Sequence, residues 1–171
     1  MKSLEQQLVQ YARYHRDRRN ILTHFFGIPL ILQAVVLLLC NPTITLNEWS
    51  FTPALIAICI TSAYYLRLSL VLGVLMLMIL LLMYAVSGWL ISTLLPLLPL
   101  NQLWFGALLF AFGWVLQFIG HHFEGKKPAF VDDLIGLVIG PLFVLVELLF
   151  LLGFFKQLEA QIILEAGDYR N

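Results

Sequence analysis

Five stretches of this chain carry almost no charge, and most of them approach the roughly 20 helical residues needed to cross a bilayer core. They run about 21–40, 53–66, 69–92, 103–120 and 134–155, and Glu147 is the one Asp, Glu, Lys or Arg inside them. A segment in lipid must satisfy its own backbone polar groups, which leaves helices or a closed barrel. The runs are continuous and leucine-rich rather than alternating, which does not fit barrel strands. The expected fold class is therefore all-α: a polytopic membrane helical bundle, one integral membrane domain with about five spanning helices. A mean hydropathy of +0.90 agrees. Arg67 divides the long apolar stretch after residue 51, and Pro96 and Pro99 mark the next turn. A net charge of zero, with no extended basic tract, argues against nucleic acid as a partner.

Residues 3–16 read as an N-terminal interfacial amphipathic helix. Leu4, Leu8, Tyr11 and His15 share one face, with Glu5, Gln6, Gln10, Arg13 and Arg16 on the rest. The polar start lacks the apolar core and cleavage site of a signal peptide, so the first span is expected to serve as its own insertion signal. Cys40 and Cys59 show no CxxC spacing and read as small packing residues.

Charge placement orients the five spans. Residues 1–20, Arg67 and the Lys126–Lys127 loop fall on one side and hold eight of the ten Lys and Arg residues. By the positive-inside rule that side is cytoplasmic. The C-terminus is then expected on the opposite side.

All four histidines sit at segment ends on the cytoplasmic side: His15 and His24 around the start of the first span, His121 and His122 at the end of the fourth. Nine residues separate His15 from His24, which would place them on opposite faces of one straight helix. They converge only if the chain turns at Asp17–Asn20, where Asn20 reads as the N-cap of the first span. Converging imidazoles suit iron, zinc or copper. Asn20 and Gln117 each lie one helical turn before a histidine and are candidates to orient it; Glu124, Asp132 and Asp133 supply nearby acids. His121 and His122 diverge by about 100° on a continuing helix. Both ligate only if the helix ends there; otherwise His122 serves the substrate. A plainer reading also stands, in which all four are interfacial residues beside lipid headgroups.

Glu147 would lie about 20 Å from the cytoplasmic end of its span, at a depth similar to that of Gln33 in the first span. A hydrogen-bonded structural pair of Gln33 with Glu147 is expected, remote from the metal.

Three blocks carry a resemblance: Tyr11 to Leu30, with its YHxxxxNxxxH pattern; Gln117 to Phe130, containing Gly120-His-His-Phe-Glu124; and Pro141 to Glu147. Together they resemble the 2-hydroxy fatty acid dioxygenases, a family once catalogued as a domain of unknown function. Its fungal member acts at the endoplasmic reticulum in phytosphingosine breakdown. The resemblance covers nearly the whole chain. It implies an Fe(II) enzyme that uses O₂ to shorten a long-chain 2-hydroxy fatty acid by one carbon, with His15, His24 and His121 at the family's motif histidines. Arg18, Arg19, Lys126 and Lys127 would attract the substrate carboxylate, unless they serve only topology and anionic lipid contact. The expected location is a bacterial inner membrane, or the endoplasmic reticulum in a eukaryote, with the site at the cytoplasmic face.

Three rival functions differ in class. A histidine-box desaturase needs about eight histidines, and four cannot supply them. A haem protein would use His24 and His121 as axial ligands. A non-enzymatic transporter or assembly protein would explain the spans and Glu147 but not the grouped imidazoles.

Overall fold

Ser3 starts the first helix, α1 (Leu4–Ala12), with a reciprocal cap: its hydroxyl accepts from the Gln6 N–H while the Gln6 side chain accepts from the Ser3 N–H. In the computed structural model, which describes residues 2–128 and 134–171, α1 is followed by α2 (Arg18–Leu39), α3 (Pro53–Leu68), α4 (Leu70–Trp89), α5 (Gln102–Glu124), α6 (Gly136–Leu151) and α7 (Lys156–Ala166). The connection after α2 is more ordered than its polar composition suggests. It forms a two-stranded antiparallel hairpin, β1 (Ile44–Leu46) with β2 (Trp49–Phe51), turned at Asn47 with φ 57°. Asparagine tolerates that left-handed conformation.

Among the described residues, three helices are long and apolar enough to cross a membrane: Arg18–Leu39, Leu70–Leu97 (α4 with its terminal turns) and Gln102–Glu124. A fourth is added if the bent pair α6–α7 counts as one span. The second expected span, 53–66, is α3, whose 16 residues reach only about 24 Å. The expected span 134–155 is also interrupted. Helix α6 stops at Leu151, Gly153 and Phe155 take positive φ, and α7 departs at 117°. Many large apolar side chains on the long helices face outward, among them Leu70, Met78, Leu82, Leu103, Trp104 and Phe112. That is the surface a bilayer would cover.

The chain divides into two compact units. One spans residues 30–112. Within it α3 and α4 are joined by the single extended residue Ser69 and pack together, with Gly73 against the backbone of Tyr65 and Leu66. Gln33 donates to the Met83 carbonyl at 3.1 Å and the Ser87 hydroxyl at 2.7 Å. Cys40 packs with Val36 and Ala54, whereas Cys59 is exposed, so only the first is a packing residue in this chain.

The other unit contains residues 1–29 and 113–171. Here α1 is not a free interfacial helix: Gln7, Leu8, Val9, Tyr11 and Ala12 are buried, and α6 and α7 pack against it. The end of the chain returns to the N-terminal segment. Asp17 and Arg170 form a parallel bridge, with the Arg170 N–H on the Arg16 carbonyl at 2.8 Å and the Arg18 N–H on the Arg170 carbonyl at 2.9 Å. This corrects the expectation that the C-terminus lies opposite the N-terminus. The cause is the break after α6, which hydropathy alone does not register.

Two glycines let α2 and α5 approach closely in this unit. A Cβ on Gly27 would lie 2.1 Å from Gln117 Nε2 and 2.9 Å from the Gly113 carbonyl oxygen; one on Gly120 would lie 2.1 Å from Thr23 Oγ1 and 2.4 Å from Asn20 Oδ1. Overpacking of this kind costs about 1–3 kcal/mol. Gly27→Leu is therefore expected to lower the thermal midpoint in detergent by several degrees. Gly88→Leu, at a glycine with open space around it, should leave it nearly unchanged.

Candidate metal centre

The turn that brings the imidazoles together follows from how α1 ends. Tyr14 and His15 close it with N–H bonds to the carbonyls of Tyr11 (3.1 Å) and Ala12 (2.9 Å). Two residues later Asp17 starts α2, its carbonyl accepting from Ile21 N–H and its carboxylate from Arg19 N–H at 2.9 Å. Asp17, not Asn20, is therefore the residue at the helix start. Hydrogen bonds from the Arg19 side chain lower the Asp17 pKa to about 2. The reversal places His15 beside His24, and α5 delivers His121 to both.

The three rings meet edge to face. Ring centroids lie 4.5 Å apart for His15–His24, 4.9 Å for His15–His121 and 5.1 Å for His24–His121. One ligand atom from each lies within 4.8 Å of the others, and all three residues are buried. His15 is 0% exposed and His24 1%, which removes the reading of these side chains as interfacial. Three rings in mutual edge contact also leave no slot for a flat macrocycle between His24 and His121. The haem alternative is therefore disfavoured.

Hydrogen bonds fix the tautomers. His15 Nδ1 lies 2.8 Å from the Tyr11 carbonyl, and His24 Nδ1 lies 2.8 Å from the Asn20 carbonyl. A carbonyl only accepts, so both Nδ1 atoms donate and each neutral ring keeps its lone pair on Nε2. Those two Nε2 atoms face each other at 3.0 Å. Sharing a proton there would require a buried imidazolium, yet burial, followed by the neighbouring His24, holds the His15 pKa well below its ordinary 6.5. A metal cation satisfies both lone pairs, and backbone carbonyls on the far nitrogens are the usual way such ligands are oriented. His121 Nδ1 is buried and has no hydrogen-bond partner among the described residues, so a third donor is available. The residues present fit a transition-metal ion.

The surrounding shell differs from expectation in several places. Asn20 orients His24 through its backbone carbonyl, while its side-chain amide donates to the Tyr14 carbonyl and to Glu124. Gln117 is buried at the Gly27 contact, and its Nε2 has no hydrogen-bond partner among the described residues. Glu124 accepts from the backbone N–H of Arg16 (3.0 Å) and Asp17 (2.8 Å). His122 is exposed and rests against Phe123; the helix continues through Glu124, so it diverges from His121 and stands outside the cluster. Asp132 and Asp133 lie outside the described residues.

The Gln33–Glu147 pair is replaced by two separate sets of partners. Glu147 accepts from Arg16 at 3.4 Å and from the Tyr169 hydroxyl at 2.9 Å. The depth count misled because α6 runs alongside α1: Tyr11 packs on Phe143 and its hydroxyl approaches Gly140. Of the four cations expected to meet a carboxylate, Arg18 borders a cavity of about 510 Å³. Arg19 is held by Asp17 and lies over the Phe123 ring, and Lys126 donates to the Arg13 carbonyl at 2.7 Å. Lys127 is exposed.

Several residues at this centre were not expected from the sequence. The Tyr11 ring stacks flat on His15, with centroids 4.1 Å apart and planes 2° from parallel. Its place four residues before His15 could have suggested this contact. Arg16 looked like part of a solvated face but is 3% exposed, with its guanidinium over Tyr169. Tyr169 and Arg170 come from a tail with no recognisable motif.

Comparison with known proteins adds a family. The family model described as 2-hydroxy-palmitic acid dioxygenase Mpo1-like matches residues 1–152. The 2-hydroxy-palmitic acid dioxygenase MPO1 of Saccharomyces cerevisiae is 34% identical over 167 residues, covering 92% of this chain and 86% of that protein. No solved structure matches.

The geometry separates the four histidines. His15→Ala, His24→Ala and His121→Ala should each lose most of the bound transition metal when the purified protein is assayed by elemental analysis. His122→Ala should retain it. Metal loss in His122→Ala equal to that of the other three would contradict the cluster described here.

Proposed function

Because this chain belongs to the Mpo1-like 2-hydroxy-palmitic acid dioxygenase family, we propose that it is an Fe(II)-dependent membrane dioxygenase carrying out α-oxidation of long-chain 2-hydroxy fatty acids. The reaction converts R–CHOH–COOH and O₂ to R–COOH, CO₂ and H₂O, so the carboxyl carbon leaves and C2 becomes the new carboxyl. The observation that carries this reading is the buried triad, in which two Nε2 lone pairs face each other at 3.0 Å with both Nδ1 atoms engaged by carbonyls. A ferrous ion held by His15, His24 and His121 would supply redox chemistry and open positions suited to a 2-hydroxy acid and O₂.

The protein's own groups have separate tasks. The carbonyls of Tyr11 and Asn20 hold the imidazoles neutral and aimed. Tyr11 and Phe143 pack against His15 and exclude water from its face. Arg18, Arg19, Lys126 and Lys127 give this end of the molecule a positive field that draws an anionic head group. The cavity beside Arg18, walled by Ile21, Leu22, Phe25 and Phe150, is assigned to the acyl chain. Its volume of about 510 Å³ falls within the 300–1,000 Å³ usual for ligand pockets.

The same reading places the site at the cytoplasmic face. With the C-terminal residues tied to the N-terminal segment, Arg170 adds to the basic residues of positions 1–20 at that end, in keeping with the positive-inside orientation. A transporter or assembly role would leave the buried triad without a purpose.

The test is a turnover assay. Purified protein with Fe(II), O₂ and 2-hydroxypalmitic acid should release the acid one carbon shorter, and chelation of the metal should stop it. Palmitic acid, which lacks the hydroxyl, should be a poor substrate. Equal turnover of the two acids would defeat the proposal that the hydroxyl takes part in binding.

A further inference from the structure

The C-terminal residues reach the metal centre through bonds that the proposed reaction does not use, and they lie beyond residue 152, where the family match ends. The focus of these bonds is the Glu124 carboxylate, whose side chain is 0% exposed. It accepts from Arg16 N–H at 3.0 Å, Asp17 N–H at 2.8 Å and Asn20 Nδ2 at 3.1 Å, and it forms an ion pair with the Arg170 guanidinium.

Apart from Arg170, each of these partners belongs to a segment that carries a histidine. Arg16 and Asp17 follow His15 in the turn. Asn20 presents the carbonyl that holds His24 Nδ1. Glu124 itself stands one helical turn after His121 on α5. One carboxylate therefore ties together the three segments whose mutual spacing sets the triad. Arg170 is fixed on its own account, since its N–H and carbonyl bridge to Arg16 and Arg18. From that anchored backbone its half-exposed side chain reaches the Glu124 carboxylate.

We propose that Arg170 is a positioning residue for the metal centre. It neutralises the buried Glu124 carboxylate and keeps it oriented against the His15 turn, and through that contact it holds the three imidazoles at ligating distance. A buried carboxylate stripped of its cation is strongly unfavourable, so the turn and α5 would separate to let water in. Arginine suits the task because its planar fork fixes direction as well as charge, which a lysine ammonium does not.

The inference rests on the triad binding a metal, and cobalt(II) tests both without requiring turnover. Wild-type protein in detergent micelles, titrated with Co(II), should develop the visible absorption of a bound ion. Arg170→Ala should bind about 10–100-fold more weakly, the range for groups that orient ligands, with an altered spectrum. Arg170→Lys should fall between the two. Millimolar guanidinium should restore binding in Arg170→Ala but not in His24→Ala, a rescue that loss of tail docking alone would not allow. Wild-type affinity and spectrum in Arg170→Ala would overturn the assignment of Arg170 while leaving the metal site standing. If Arg170→Ala does not fold, wild-type affinity and spectrum in Arg170→Lys would overturn it equally. Failure of the wild-type protein itself to bind Co(II) would overturn the metal site on which the assignment rests.

Discussion

Two imidazole lone pairs pointing at each other across 3.0 Å in a buried interior repel unless something positive lies between them. The rest of this unit can be understood as the means of holding that unfavourable pair in place. The Nδ1–H donors are anchored to carbonyls four residues earlier in each case, so neither ring can turn its donor edge toward the other. Tyr11 blocks one face of His15 by stacking, and Phe143 packs at its flank. The glycine contacts at Gly27 and Gly120 remove the side chains that would keep α5 at an ordinary distance. Preorganisation of this kind is what lets a small ion be bound without a further ordering cost.

Around the rings lies a second layer made of charge. Arg16 is buried and engages the carbonyls of Ala12, His15 and Gly167 as well as Glu147, while Glu124 collects donors from three segments. Isolated buried ion pairs are weak contributors to stability, because desolvation offsets much of their attraction. Here Arg16 and Glu124, one member of each pair, are also hydrogen-bonded to backbone, which makes the arrangement specific. Removing one member of such a network costs about 3–5 kcal/mol, since its partner is left buried and uncompensated. The network's role is to define one geometry for the turn between α1 and α2.

Much of this was legible in the sequence, and the gaps have physical causes. The long apolar runs marked the helices, and the break at Asp17–Asn20 marked the turn that lets His15 meet His24. His121 was identified, and the approximately 100° divergence on a helix anticipated that His122 need not join it. Hydropathy could not show that α6 stops after 16 residues and that the chain turns back, because Leu152, Phe154 and Phe155 are as apolar as the helix they end. That miss carried two others with it: the side on which the C-terminus lies, and the surroundings of Glu147. Arg16 was read as solvated because the expected helix ran through residue 16, whereas α1 ends at Ala12 and Arg16 lies in the turn beyond it, buried against Glu147 and Tyr169. Arg170 has no local pattern at all; only the return of the chain gives it meaning.

That return has a consequence for how the molecule is made. The bonds of Glu124 to the turn join residues 107 and 108 positions apart, and Arg16 reaches Glu147 across 131. Closing a loop grows costlier with its length, though slowly, by about 0.6 kcal/mol per doubling. Contacts of such high sequence separation form late in folding. A chain interrupted before α5 holds two imidazoles and no third, so it cannot retain an ion in this arrangement. Any metal capture by this triad is thereby reserved for chains in which α5 has already docked, so that an ion held there would record that step of assembly.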